Sequence, residues 1–121
     1  MVIEDDQDLR DSLQRLLQEK YTISMAANGE EGLKLVQEIK PDLILSDVMM
    51  PIMDGFELCK QLKRKKETSC IPIILLTAKI NDKDYLEGLN CGADAYITKP
   101  FNFNVLQANI DMVISNRKRG L

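Results

Sequence analysis

Four short strand-like runs in this chain each end on residues capable of polar chemistry. Val2-Ile3 runs into Glu4-Asp5-Asp6, and Leu43-Ile44-Leu45 into Ser46-Asp47. Ile71 to Leu76 leads to Thr77-Ala78, and Asp94 to Thr98 to Lys99-Pro100. Short continuous apolar runs read as strands buried on both faces of a parallel sheet. In such sheets ligands and chemistry gather at the carboxyl ends of the strands. A fold that aligns these runs collects carboxylates, a hydroxyl and an ammonium group from different strands. Acids crowded together repel and need a cation. Hard oxygen ligands with room for water suit Mg²⁺, held by one or two carboxylates and completed by a phosphate. Asp47 is then placed to attack a phosphoryl group whose charge the metal screens. Lys99 balances charge and can hold an acceptor oxygen, and Thr77 can donate to another. The chemistry this set suits is transient phosphorylation of a carboxylate.

Helices must lie between those strands. Leu9, Leu13, Leu16 and Leu17 recur at helical spacing within about residues 8 to 19. Asp6 or Asp8 is the expected cap of that helix. Tyr21 to Ala26 alternates and is rich in β-formers, which predicts an edge strand. Asn28 can cap a second helix whose first turn carries Glu30 and Glu31. That helix turns Leu35, Val36 and Ile39 inward and stops at Pro41. After Asp47, Pro51 and the pair Asp54-Gly55 turn the chain. A third helix starts near Gly55, with Asp54 as cap and Phe56, Cys59 and Leu62 on one side. It dissolves into the charged run Lys60 to Glu67, read as a solvated helix end. Pro72 is tolerable only at the start of the next strand. A weaker helix is predicted over roughly Asp82 to Asn90, closing at Gly92. A last one runs from about Asn104 to Asn116, with Leu106, Ile110 and Val113 inward and Arg117, Lys118 and Arg119 finishing it. Strands alternating with helices give one α/β domain around a parallel sheet, with right-handed crossovers. Val2-Ile3 is short for a central strand. The 121 residues are therefore expected to start inside their first strand and to come from a longer protein.

Bulk properties narrow the classes. A composition 45% hydrophobic builds a core, yet no run is long enough to span a membrane. Met1-Val2-Ile3 runs straight into acids, without the charged start and apolar stretch of a signal peptide. The net charge of -3 argues against a nucleic-acid-binding surface. Cys59, Cys70 and Cys91 are an odd number at no metal spacing, as expected of reduced, mostly buried thiols in a cytosolic protein. The absence of histidine excludes Ser-His-Asp and Cys-His catalysis, and any histidine phosphorelay inside the chain.

The acid pair Glu4-Asp5, the motif DLILSDVMMPIMDG (Asp42 to Gly55), LLTAK (Leu75 to Lys79) and GADAYITKPF (Gly92 to Phe101) resemble, jointly and in their spacing, the receiver domain of two-component response regulators. The resemblance covers essentially the entire chain. It implies a flavodoxin-like, doubly wound five-stranded parallel sheet of order 2-1-3-4-5 with five helices. It implies Asp47 as the phosphoacceptor, fed by the phosphohistidine of a histidine kinase. Asp5, Asp47 and the backbone carbonyl of Met49 would hold Mg²⁺, with Glu4 assisting through water. Thr77 would swing to the phosphoryl group. Lys99 would pair with Asp47 and then with a phosphate oxygen, across a cis Lys99-Pro100 bond. Tyr96 would be the switch aromatic. The face formed by the fourth helix, fifth strand and fifth helix, about residues 82 to 117, would repack and bind a partner or a second copy. Phe101 is read as core, and Met49, Met50 and Met53 as packing or loop surface.

In ADAYITKPFN, SDVMMP and the NRKR ending the chain is most similar to receivers within hybrid proteins. There a sensor kinase and a receiver share one chain, often followed by an AraC-type helix-turn-helix domain. This implies a cytoplasmic domain that controls transcription without itself touching nucleic acid or membrane, in a protein that can be anchored in the inner membrane. Glu4 stands where many members carry Asp. Met49 and Lys79 stand where members tune hydrolysis, and neither offers a carboxylate or amide to orient water, so a long-lived phosphoryl form is expected. The rivals are an aspartyl-nucleophile phosphatase, a flavin module on the same fold, and a non-phosphorylated protein-binding receiver. The first usually places a second acid where Met49 stands. The second needs a hydroxyl- and Gly-rich loop after strand one. The intact acids, Thr77 and Lys99 argue against the third.

Overall fold

A computed structural model of the chain describes residues 1–78, 86 and 90–119, with side chains described through Asn116. Five strands form one parallel sheet of order β2-β1-β3-β4-β5. They are β1 (Val2–Ile3), β2 (Met25–Ala26), β3 (Ile44–Asp47), β4 (Ile73–Thr77) and β5 (Ala95–Thr98). The described helices are α1 (Gln7–Leu17), α2 (Gly29–Ile39), α3 (Gly55–Arg64) and α4 (Phe103–Arg119). The expected helix over Asp82 to Asn90 falls mostly outside the described residues, as does Lys79.

Period-two alternation along the strands sorts the core into two layers. Ile3, Ile44, Ile73 and Leu75 pack on one side of the sheet with Phe56, Leu58, Cys59 and Leu62 of α3 and Val36 of α2. Val2, Leu45, Ile74, Leu76 and Ile97 pack on the other with Leu13 and Leu17 of α1 and Leu106, Ile110 and Val113 of α4. Every residue of β3 and β4 is buried, as strands covered on both faces require.

The helix starts follow the sequence signals. Asp6 caps α1 by accepting from the amides of Asp8 and Leu9, Asn28 caps α2 through the amide of Glu31, and Asp54 caps α3 through the amide of Glu57. Each cap satisfies an amide that the first helical turn leaves unpaired.

The structure corrects several details. The strand expected over Tyr21 to Ala26 shrinks to Met25–Ala26, because β1 offers only Val2 and Ile3 for it to pair with. Leu16 and Ile39 are half-exposed at the edges of their helices' apolar stripes, whereas Leu13, Leu17 and Val36 on the stripes are buried. Helix α3 does not dissolve at Lys60 but continues to Arg64. The charged run after it is not wholly solvated. Lys63 Nζ donates to Ile71 O at 2.8 Å and Ser69 O at 3.2 Å, and Thr68 Oγ1 donates to Leu62 O at 2.6 Å in a buried bond. Phe101 is half-buried against the second core layer.

Candidate functional site

The parallel register sets the site. Asp47 ends β3 opposite Leu76, and Thr77 ends β4 opposite Thr98, so Asp47, Thr77 and Lys99 leave adjacent strands at one edge of the sheet. Strand β1, on the other side of β3, delivers Glu4 and Asp5 to the same edge. Glu4, Asp5 and Asp47 each offer an oxygen, and these oxygens lie within 4.8 Å of one another. Glu4, Asp47 and Thr77 are buried, while Asp5 is exposed and stands at the opening.

Lys99 bridges the acids. Its Nζ lies 2.9 Å from Glu4 Oε1 and 3.3 Å from Asp47 Oδ1. The tighter partner is Glu4, a contact that the sequence did not signal. It has a physical reason: Glu4 is almost wholly buried, and a buried charge needs a partner. The Lys99-Pro100 bond is cis, as expected. Glu4 is held further by the Asp6 amide on Oε2 at 3.2 Å, while Arg10 donates to its backbone carbonyl at 2.7 Å. The Arg10 contact ties α1 to the acidic turn, and nothing in the sequence spacing pointed to it.

The electrostatics express the crowding. Burial pushes the Glu4 carboxyl up to about 7, against the lowering effect of Lys99 and with the help of Asp47. Burial also disfavours the Lys99 ammonium, but its carboxylate partners Glu4 and Asp47 outweigh this and raise its pKa above the ordinary lysine value. One ammonium thus faces a buried carboxyl and a second, nearly buried carboxylate. The donor set, hard oxygens around a shared point, with Lys99 as the one cation paired to their carboxylates among the described residues, fits a small divalent ion.

The loop from β3 to α3 is fixed closely. The Val48 amide donates to Leu76 O, and the Gly55 amide returns to Val48 O at 2.8 Å. A Cβ on Gly55 would run into the Asp47 carbonyl oxygen and come within 2.9 Å of Val48 Cα. Only glycine lets α3 begin this close to the site. Met50 is buried, Met53 packs against the core, and Met49 is 72% exposed. Ile52 adopts φ 74°, a left-handed backbone unusual for a β-branched residue. Tyr96 points from β5 to the α3 side of the sheet, its ring stacked on Phe56 with centroids 6.1 Å apart.

Fold and site together define a receiver. The response regulator receiver domain family matches residues 1–111, and this chain belongs to that family. It is 45% identical over 98% of its length to the transcriptional regulatory protein AfsQ1 of Streptomyces coelicolor, of which it spans 52%. It is 44% identical, again over 98% of its length, to histidine kinase P4 of Formosa agariphila, of which it spans 9%. The chain thus covers about half of one relative and a small part of the other. The receiver domain of a signal transduction histidine kinase from Syntrophus aciditrophicus superposes with a TM-score of 0.91 at 39% identity, covering 98% of this chain and 90% of that one. The Thermotoga maritima response regulator TrrA, in complex with Mg²⁺ and BeF, gives 0.82 at 35% identity, covering 93% and 95%.

Proposed function

We propose that this domain is a phosphorylation-driven switch in which Asp47 accepts a phosphoryl group from the phosphohistidine of a histidine kinase. One observation carries the reading. Three carboxylates converge within 4.8 Å, and Lys99 contacts two of them. Asp5, Asp47 and the Met49 carbonyl would hold Mg²⁺, with Glu4 acting through water. The ion would supply charge screening for an incoming phosphoryl group. Its use in the TrrA complex, a relative by fold and sequence, supports this choice.

Asp47 is the nucleophile: one carboxylate oxygen attacks phosphorus in line with the departing imidazole. Lys99, already 3.3 Å from Asp47, neutralises the added charge and takes a phosphoryl oxygen. The Thr77 hydroxyl, at the end of the neighbouring strand, donates to another. Movement of Thr77 changes the packing of Tyr96, and β5 and α4, the described part of the face of about residues 82 to 117, change with it. Phosphorylation shifts the balance between two conformations. That face then engages an output domain or a second copy, and the output is control of transcription, as in relatives such as AfsQ1. The domain sits in the cytoplasm and catalyses only its own phosphorylation and dephosphorylation. The histidine kinase can lie in the same longer chain, for which the kinase relatives provide the precedent.

The test is phosphoramidate with Mg²⁺. The native domain should gain one acid-labile phosphate, and Asp47→Asn should gain none. Equal labelling of the variant would overturn the assignment. Turnover of free phosphoesters would favour a phosphatase instead.

A further inference from the structure

Asp47 lies at the floor of the site, with a side chain only 9% exposed. Its phosphoryl donor must therefore come to the rim. The β3–α3 loop, which leaves Asp47 and closes with the Gly55 amide on Val48 O at 2.8 Å, carries two apolar side chains in water, Met49 at 72% and Ile52 at 75% exposure. Leu16 and Ile39, each half-exposed at the edge of its helix's apolar stripe, are single residues and call for no explanation.

Ile52 is different, because it combines an unfavourable backbone with a side chain mostly in water. Its backbone is left-handed at φ 74°, where Gly or Asn fits and a β-branched side chain is strained. Its side chain packs on little of its own domain. A strained residue that leaves an apolar group in solvent, five residues along the loop from a reactive carboxylate, suits a contact the isolated domain does not make. The β1–α1 turn that delivers Glu4 and Asp5 to the site goes on to exposed Asp6 and Asp8 at the start of α1. The complementary surface is apolar over Ile52 and basic over the start of α1.

We propose that Ile52 is a donor-specificity residue: it is covered by an apolar surface beside the phosphohistidine of the donor protein, and small phosphodonors do without it. The inference rests on the phosphoacceptor reading of Asp47. In the transfer the donor's P–N bond breaks as an O–P bond forms at Asp47. The imidazole leaves with the P–N electron pair and takes a proton from water, and Asp47 becomes an acyl phosphate. Ile52 touches none of these atoms. It positions the donor that brings them.

The test compares two donors on three proteins. The donors are phosphoramidate and an autophosphorylated histidine kinase core, chosen from a panel as the one that labels the native domain fastest. The proteins are the native domain, Ile52→Asn, which suits the left-handed backbone, and Ile52→Met, which restores an apolar side chain. Ile52→Asn should lose about tenfold in kcat/KM with the kinase core, the scale expected from losing one buried aliphatic contact. Its rate with phosphoramidate should stay within about twofold of native, and Ile52→Met should recover most of the kinase rate. Equal slowing with both donors, or an unchanged kinase rate in Ile52→Asn, would overturn the proposal. If phosphoramidate labels the native domain but no kinase core does, the donor assignment falls while Asp47 stands as acceptor. If phosphoramidate fails on the native domain, the phosphoacceptor reading falls and this inference with it.

Discussion

Replacing Glu4 by Gln should make the metal-free domain more stable at neutral pH and less able to hold Mg²⁺. The Glu4 carboxyl is buried, and its pKa is raised from an ordinary 4.5 to about 7. The folded state therefore holds this proton more tightly than the unfolded chain does. The resulting stabilisation is complete below about pH 4.5 and is lost as pH rises through about 7. Each pKa unit corresponds to about 1.4 kcal/mol, so the shift bounds the loss at about 3 kcal/mol. Glutamine cannot ionise, so it escapes that loss and removes the repulsion with Asp47. Its carbonyl can still accept from Lys99, as Glu4 Oε1 does at 2.9 Å. The amide end forfeits the 3.2 Å bond from the Asp6 amide to Oε2, a cost of about 1 kcal/mol. The net gain is about 1–2 kcal/mol at pH 7.5. For a domain of this size that is about 4–8 °C in Tm. Thermal unfolding in EDTA at pH 5 and pH 7.5 reads it directly. The native domain should lose stability across this interval relative to the variant. Millimolar Mg²⁺ at pH 7.5 should restore the native domain and help the variant less, because stabilisation follows affinity for the folded state. Equal pH dependence in the two proteins, or a variant less stable than native at pH 7.5 in EDTA, would refute the account of the crowded carboxylates.

Three further outcomes follow from the same contacts. Lys99→Met removes the cation that faces buried Glu4 and nearly buried Asp47 and should lower stability at pH 7.5 by about 3 kcal/mol; denaturant titration checks this, and the loss should shrink at pH 5 as Glu4 takes a proton. Gly55→Ala sets a methyl group against the Asp47 carbonyl oxygen and Val48 Cα and should cost at least about 2 kcal/mol while slowing phosphoryl uptake; unchanged melting and labelling would contradict the close approach. With exposed Met49 supplying no group to orient water, the phosphorylated domain should lose its phosphate slowly, and Met49→Asn should shorten the lifetime severalfold; a native half-life of seconds, followed by loss of the acid-labile label, would contradict this.

What could be read in the chain was local or periodic. The caps Asn28 and Asp54 were visible, and the first was narrowed to Asp6 or Asp8, because a capping side chain acts on amides two or three residues away. The stripes Leu13-Leu17 and Leu106-Ile110-Val113 were visible because the helical repeat alone decides which positions share a face. The runs of β3 and β4 were visible because strands buried on both faces leave no polar alternation. The candidate residues Glu4, Asp5, Asp47, Thr77 and Lys99 could be gathered because strand ends of a parallel sheet share an edge.

The extent of a strand was less legible, since it depends on its neighbour: β2 shrinks to two residues because β1 has two to offer. The partners of long side chains were not legible at all. Lys99 prefers Glu4, 95 residues away in sequence, and Lys63 reaches the carbonyls of Ser69 and Ile71. Sequence by itself thus determined which residue types arrive at the site, through periodicity and turn chemistry acting within a few residues. Tertiary structure alone decided how near they come, which carboxyl is buried enough to have its pKa raised, and that Ile52 takes a left-handed backbone in the loop after Asp47. Those quantities depend on distance and on exclusion of water, and both are set by packing between segments remote along the chain.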